Sequence, residues 1–293
     1  MAAVRTHKGV PMNKGKLYIV ATPIGNLEDI TLRAIRILRE VALIAAEDTR
    51  RTRKLLNAYG IATPLTSLYD QIETQKSPLL MEKLNEGNDI AFVSDAGTPG
   101  ISDPGYVLVR TAIEQDIEII AVPGPAAVIA ALSVSGLPMD RFVFYGFPPP
   151  RGSKRKQFLE SIRNEPGTMV FYESPRRLLS LLQEFLDTFG DRNIVVTREL
   201  TKIHEEALRG TVSDILADLK ARDTIKGEIT VILAGQKQEV PVLSPNAIRQ
   251  RIETLLHDTT LSTKDIATTI ADETHLSRKE AYKIVIEVKE AVS

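Results

Sequence analysis

Twelve consecutive residues, Ser94-Asp95-Ala96-Gly97-Thr98-Pro99-Gly100-Ile101-Ser102-Asp103-Pro104-Gly105, hold the densest chemistry in this 293-residue chain. They contain three Gly, two Pro and two Asp, and no Lys or Arg. Glycine and proline shape a backbone so that its N–H and C=O groups can meet a ligand. A loop that grips phosphate normally adds a cation, as in G-x-x-x-x-G-K-[ST]. That motif and G-x-G-x-x-G are both absent. The loop therefore suits a neutral or cationic ligand that carries a ribose and an amine. S-adenosylmethionine (SAM) fits, because its sulfonium and ammonium favour carboxylates and carbonyl oxygens. Asp95 and Asp103 are the candidate acceptors; the alternative for each is a turn former or helix cap, and for Asp103, before Pro104, the two readings weigh about evenly.

Other polar clusters sit at strand ends: Glu47-Asp48-Thr49-Arg50, Glu173-Ser174-Pro175-Arg176-Arg177, Arg198-Glu199-Leu200-Thr201-Lys202 and Lys226-Gly227-Glu228. One alone reads as a salt bridge. Four beside Gly/Pro turns read as an active cleft. Basic groups gather at Arg50/Arg51/Arg53/Lys54, at Arg151/Lys154/Arg155/Lys156 and at Arg176/Arg177, a modest phosphate footprint in a chain of net charge −1. Phe144, Tyr145 and Phe147 could stack bases beside the second group, although core packing is the simpler account of Phe144. The chain has no Cys, which excludes disulfides, thiol catalysis and Cys-ligated zinc, and its four His form no H-E-x-x-H. No apolar run approaches the ~20 residues of a membrane span. The first fifteen residues lack the apolar core of a signal peptide. The expectation is a cytoplasmic protein without a membrane partner.

The elements that must position these groups follow from apolar patterning. Strands are expected at 16–21, 41–45, 65–68, 90–93 and 117–122. The helices between them are expected at 29–38, up to Tyr59, from a Ser77 cap to Gly87, at 106–113 and at 126–135. Continuous apolar runs of this kind form a parallel sheet covered on both faces. Its turns at 22–26, 94–105 and 123–125 then share one edge. Pro148-Pro149-Pro150 reads as a semi-rigid connector. Beyond it, strands are expected at 168–172, 193–197 and 228–233, with helices at 176–189 and 211–220. The division is a disordered lead-in (1–15), an N-terminal α/β domain (16–140), a linker (141–153), a second α/β domain (154–236) and a helical, helix-turn-helix-like domain (246–293). In that last domain Ser262 and Ser277 act as caps.

Six motifs occur in one order: Ala21-Thr22-Pro23-Ile24-Gly25-Asn26-Leu27, Ala46-Glu47-Asp48-Thr49-Arg50, the run from Val93 to Gly105, Val122-Pro123-Gly124-Pro125-Ala126-Ala127, Phe171-Tyr172-Glu173-Ser174-Pro175 and Lys226-Gly227-Glu228. Over about residues 16–235, together with the helical tail, the chain resembles the bacterial small-subunit ribosomal RNA (cytidine-2′-O-)methyltransferases of the tetrapyrrole methylase superfamily. The resemblance implies two α/β domains of the tetrapyrrole methylase type with SAM in the cleft between them, and a homodimer. It implies methyl transfer to the 2′-hydroxyl of a decoding-centre cytidine in 16S rRNA, in the small ribosomal subunit. It places Gly97, Thr98, Ile101 and Ser102 in the cofactor loop, with Ala127, Val128 and Gly227 on the same pocket. Thr98 stands where relatives carry Asp, which leaves Asp95 as the nearest acidic candidate. Glu47, Asp103 and Glu173 are unranked candidates for a catalytic base. Arg50, Arg53, Lys154, Arg155 and Arg176 are assigned to RNA phosphate. Two other readings stay open: a SAM-dependent methylase of a tetrapyrrole or protein residue, and a non-enzymatic RNA-binding assembly factor.

Overall fold

A computed structural model describes residues 14–236, 244–257, 261–274 and 276–292. The expectations for residues 1–13, and for 236–245, a polar and Pro-containing stretch that reads as a second linker, lie outside the described residues apart from the ends of that stretch. Lys14 and Gly15, expected in a disordered lead-in, are instead fastened. Gly15 N–H donates to Leu84 O at 2.7 Å, and Lys14 Nζ donates to Gln115 O at 2.7 Å.

The first sheet is all parallel. Its strands are β1 (Leu17–Val20), β2 (Leu43–Ala46), β3 (Leu65–Ser67), β4 (Ile90–Val93) and β5 (Ile119–Val122), in the order β3-β2-β4-β1-β5. Five helices follow these strands: α1 (Leu32–Glu40), α2 (Thr49–Ala58), α3 (Asp70–Asn85), α4 (Tyr106–Glu114) and α5 (Ala127–Ser135). Successive side chains of a strand point to opposite faces. Accordingly Ala91 and Val93 pack with Ala34, Ile37, Leu38 and Leu56 of α1 and α2, while Ile90 and Phe92 pack with Leu80, Leu84 and Leu108 of α3 and α4. This burial on both faces is why the strands read as unbroken apolar runs. From adjacent strands β1 and β4 the chain leaves in opposite directions, toward β2 and toward β5. Such a switch point opens a crevice at the carboxyl edge.

α3 starts at Asp70 rather than at the expected Ser77. Asp70 and Glu73 supply negative charge to its first turn. Ser77 lies inside, buried, and its Oγ donates to Glu73 O at 2.7 Å one turn before Pro78. Glu73 has a second task. Its buried Oε1 accepts Leu108 N–H of α4 at 2.9 Å, where the N-cap residue Gly105 has no side chain to do so.

The second sheet contains β6 (Phe142–Gly146), β7 (Thr168–Glu173), β8 (Asn193–Arg198), β9 (Glu206–Thr211) and β10 (Ile229–Leu233) in the order β6-β7-β10-β8-β9. β6 and β7 are parallel, and the other pairs are antiparallel. β6 falls within the stretch expected to be linker. Its aromatic residues pair as an edge strand with a bulge at Gly146. α6 (Ser153–Ser161), α7 (Pro175–Phe189) and α8 (Val212–Lys220) cover one face around Phe171, Phe185 and Val231. The other face receives α5, whose Val128, Ala131 and Leu132 pack on Val170, Val195 and Ile232. Up to Gln236 the chain is thus one compact unit.

The second unit holds α9 (Pro245–Leu256), α10 (Thr263–Glu273) and α11 (Arg278–Val292) around a core of its own, including Ile252, Ile270 and Val285. Ser262 and Ser277 both cap as expected, and each does so in a capping box, with Asp265 and Glu280. Among the described residues no helix is long and apolar enough to cross a membrane.

Candidate active site

The carboxyl edge of the first sheet faces the second sheet across a cleft of about 370 Å³. From the first sheet come Ile24, Ala96-Gly97-Thr98, Ile101-Ser102-Asp103 and Ala126-Ala127. From the second come Phe147, the run Tyr172 to Pro175, Thr197, Leu200 and the run Gly227 to Thr230. The three turns of the first sheet are tied to one another. Thr22 and Gly97 exchange both backbone hydrogen bonds at 2.9 Å, and Thr98 Oγ1 donates to Pro125 O at 3.3 Å. Thr98 therefore joins two turns in the role open to a hydroxyl. Gly105 closes the loop against Phe92 at a φ of +133°, where an added Cβ would lie 2.8 Å from that ring.

The acidic residues divide by position. Asp103 lines the cleft, and burial together with the nearby charge of Glu47 pushes its carboxyl up to about 6. Glu47 and Asp95 are not part of the wall; they brace the loop from behind. Glu47 Oε2 accepts Asp95 N–H at 3.1 Å, Asp95 Oδ1 accepts Asp48 N–H at 3.0 Å, and Arg51 pairs with Asp95 Oδ2 at 3.2 Å. Burial raises both of these carboxyls too, opposed at Glu47 by the hydrogen bond from Asp95 N–H and at Asp95 by the charge of Arg51. Burial, and then the charge of Asp103, pushes the Tyr172 hydroxyl up to about 12.

On the second sheet, the Glu173 side chain is wholly buried at the start of α7. Its Oε1 accepts Ser174 N–H and Arg177 Nε–H, each at 2.6 Å, whereas Oε2 is buried without a hydrogen-bond partner. Opposite, Glu199 Oε1 accepts Glu228 N–H at 2.9 Å and Lys202 Nζ at 2.9 Å, and Lys202 also reaches Glu228 Oε2 at 3.0 Å. The Glu199 carboxylate is held low by Lys202 and by the Glu228 backbone. Asn26 N–H donates to Thr201 Oγ1 at 3.0 Å, which links this brace to the first turn of the first sheet. Glu199 and Thr201 hold φ of 52° and 64°, strain that the brace sustains. Gly227 sits beneath it at φ +99°, and an added Cβ would lie 2.5 Å from Glu199 Cγ. Gly227→Ala is expected to lower stability by about 2 kcal/mol or more, read as a shift of the urea midpoint.

Of the other residues expected to touch a cofactor, Gly97, Thr98, Ile101, Ser102, Ala127 and Gly227 share the cleft. Val128 instead faces the core beneath α5. Arg50, Arg53, Lys154 and Arg176 are exposed at helix starts around the cleft-bearing halves. Arg155 is a correction. It is 1% exposed, its guanidinium grips both Glu184 oxygens, and it donates to Pro150 O and Ser180 Oγ, so it offers nothing to RNA. Tyr145 stacks on Phe171 in the core, whereas Phe147 is 56% exposed on the cleft wall. Sequence reasoning gives Tyr172, Ser174 and Leu200 no individual role, although they lie within the quoted motifs, and does not select Thr197 or Thr230. The available signal for these two was a threonine beside an aliphatic run, after Ile194-Val195-Val196 in β8 and before Val231-Ile232-Leu233 in β10, and the strands are joined by Thr197 Oγ1 donating to Thr230 O at 3.1 Å.

A parallel sheet with a switch-point loop thus faces a second, largely antiparallel sheet across a shared cleft. The chain belongs to the tetrapyrrole (corrin/porphyrin) methylases, whose family model matches residues 16–216, and it is a methyltransferase. Among solved structures it is similar to cobalt precorrin-4 methyltransferase, with a TM-score of 0.56 at 17% identity, covering 75% of this chain and 94% of that one. A uroporphyrin-III-C-methyltransferase from Thermus thermophilus gives 0.52 at 21% identity, covering 75% and 94%. The sequence relatives are nearer. It is 49% identical to the Thermotoga maritima protein named ribosomal RNA small subunit methyltransferase I, over 76% of this chain and all (100%) of that protein. It is 47% identical to the Escherichia coli O157:H7 protein of that name, over 84% and 87%. The Synechocystis protein of the same name is 44% identical over 94% and 99%.

Proposed function

We propose that this protein transfers the methyl group of SAM to the 2′-hydroxyl of a decoding-centre cytidine in 16S rRNA, within the small ribosomal subunit. The observation that carries the substrate is the 44–49% identity, over most of both chains, to proteins named for small-subunit ribosomal RNA. Exposed Phe147 at the cleft and the exposed arginines Arg50, Arg53 and Arg176 supply a stacking surface and phosphate contacts in keeping with it. The same reading makes the enzyme a cytoplasmic homodimer.

The cleft suits SAM. Its wall carries Asp103 and no Lys or Arg, and although Glu173 and Glu228 are paired with Arg177 and Lys202 behind it, one oxygen of Glu173 is buried without a partner, which leaves acceptors for a cationic molecule. The loop from Ala96 to Ser102, Ala127 and Gly227 would hold it. SAM supplies a methyl group already activated on sulfonium. The remaining work of the chain is positioning and proton transfer. Asp103 takes the proton of the 2′-hydroxyl on its carboxylate. With its carboxyl near 6 it is ionised at neutral pH, yet more basic than an ordinary aspartate. Glu47, which accepts the Asp95 N–H, and Asp95, which accepts the Asp48 N–H, fix the loop that carries Asp103. Tyr172 keeps its proton throughout.

The test is transfer from methyl-labelled SAM to purified small subunits, followed by nuclease mapping. Label on the ribose of a single 16S cytidine is expected. Label on a base, or on a free tetrapyrrole and not on RNA, overturns the reading.

A further inference from the structure

We infer that Glu173 is the residue that accepts an N–H of the bound methyl donor, a role distinct from proton abstraction; the inference rests on the SAM reading above. The carboxylate is divided in its duties. Oε1 is saturated by Ser174 N–H and the Arg177 guanidinium, all contacts being 2.6 Å, and these fix the plane of the group. Oε2 has less than 1 Å² of exposed surface and no hydrogen-bond partner, in a residue that belongs to the cleft wall. Leaving a buried carboxylate oxygen unpaired is unfavourable by more than an ordinary hydrogen bond contributes. The oxygen is thus built for a donor that arrives with a ligand. The wall carries no Lys or Arg among its lining residues to serve as that donor.

Geometry separates this role from that of a base. A base must release the proton it collects to solvent between turnovers. Glu173 is 2% exposed and clamped by Arg177, whereas Asp103 is only partly buried in the same wall. Acceptance of a fixed N–H needs burial and a rigid plane, and Glu173 has both. SAM offers two such groups: the exocyclic amine of its adenine and its ammonium.

Glu173→Gln tests this. The glutamine carbonyl can still accept from Ser174 and Arg177, which places the amide N–H₂ where Oε2 stood and sets donor against donor. Calorimetric titration with S-adenosylhomocysteine is expected to show a roughly 10- to 100-fold weaker affinity than wild type, the range set by a lost hydrogen bond to a charged group. 5′-Methylthioadenosine distinguishes the two donors. An equal loss with it assigns the adenine amine, and no loss with it assigns the ammonium. Unchanged affinity for both ligands overturns the inference. A ligand-side measurement on the wild-type protein does not depend on the variant folding. Replacing the adenine amine by a carbonyl oxygen, or deleting the α-amino group, should weaken binding in one of the two cases, and full affinity for both analogues also overturns the inference. Wild-type protein that neither binds S-adenosylhomocysteine nor transfers methyl rejects the SAM reading itself. Wild-type binding with an indifferent Glu173→Gln rejects only the role of Glu173.

Discussion

Asp103→Asn should lower methyl transfer roughly 10²- to 10⁴-fold, the range of a positioned acid–base group, while the protein stays folded and becomes more stable at neutral pH. The two effects share one cause. Burial and the neighbouring Glu47 raise the Asp103 carboxyl to about 6 from an ordinary value of 3.8, so the folded protein disfavours the charged form. Below the ordinary value the carboxyl is protonated in both the folded and the unfolded chain, and no penalty exists. Between about 4 and about 6 the unfolded chain ionises first, so stability falls as pH rises. Above 6 the penalty is constant, on the order of 1–2 kcal/mol after allowance for solvent screening. Asparagine removes it. Urea melts at pH 7.5 should therefore favour the variant, and melts near pH 3.5 should not separate the two proteins on this account. In single-turnover assays at saturating SAM, the wild-type rate should rise through pH 6 to a plateau, and the variant should lack that limb. A variant with the wild-type rate would remove Asp103 from the chemistry.

Arg155→Ala is expected to lower the stability of the main unit by about 3 kcal/mol, at the lower end of the range for breaking a buried ion pair. The guanidinium holds Glu184, the Pro150 carbonyl and Ser180 Oγ together, joining the Pro-rich segment to α6 and α7. Glu184 keeps 34% of its side-chain exposure and can rehydrate, which places the effect at the low end. Arg155→Lys should recover little, because one ammonium cannot reproduce the planar fork. Lys154→Ala, one residue earlier and exposed, should shift stability by less than about 0.5 kcal/mol. Denaturant midpoints check the contrast. RNA affinity measured on folded Arg155→Ala should equal that of wild type, and a salt-dependent loss of RNA binding would return Arg155 to the phosphate-contacting set.

These two residues show where sequence is informative and where it stops. The first sheet was legible because its central strands, β4 above all, are buried on both faces, so that Ile90, Ala91, Phe92 and Val93 are all apolar. The edge that carries the candidate site was legible because glycine and proline gather in the turns that leave it. Arg155 was not separable from Lys154 and Lys156, since all three are cations in one helical turn and only the packing of α6 on α7 decides which points inward. Asp95 and Asp103 belong to one loop, and their opposite orientations come from partners distant in sequence, Asp48 and Arg51 for the first. β9 is a sheet edge of half-exposed, mixed residues and gives no continuous apolar run, whereas β6 is apolar from Phe142 to Tyr145 but runs straight into Pro148-Pro149-Pro150 and so reads as part of the connector. Ser77 before Pro78 carries the signature of a helix start. It loses to Asp70 because the earlier turn places Glu73 on α4.

That contact between Glu73 and Leu108 has a mechanical meaning. α4 begins where the ligand loop ends, yet its first turn is secured by a neighbouring helix, so the loop transmits no capping load and its polar groups stay available to a ligand. The floor of the loop is thereby yoked to α3. Opening fluctuations that peel α3 from the sheet should release the start of α4 with it, and amide exchange at Leu108 should follow the protection of the α3 amides rather than that of the loop preceding it.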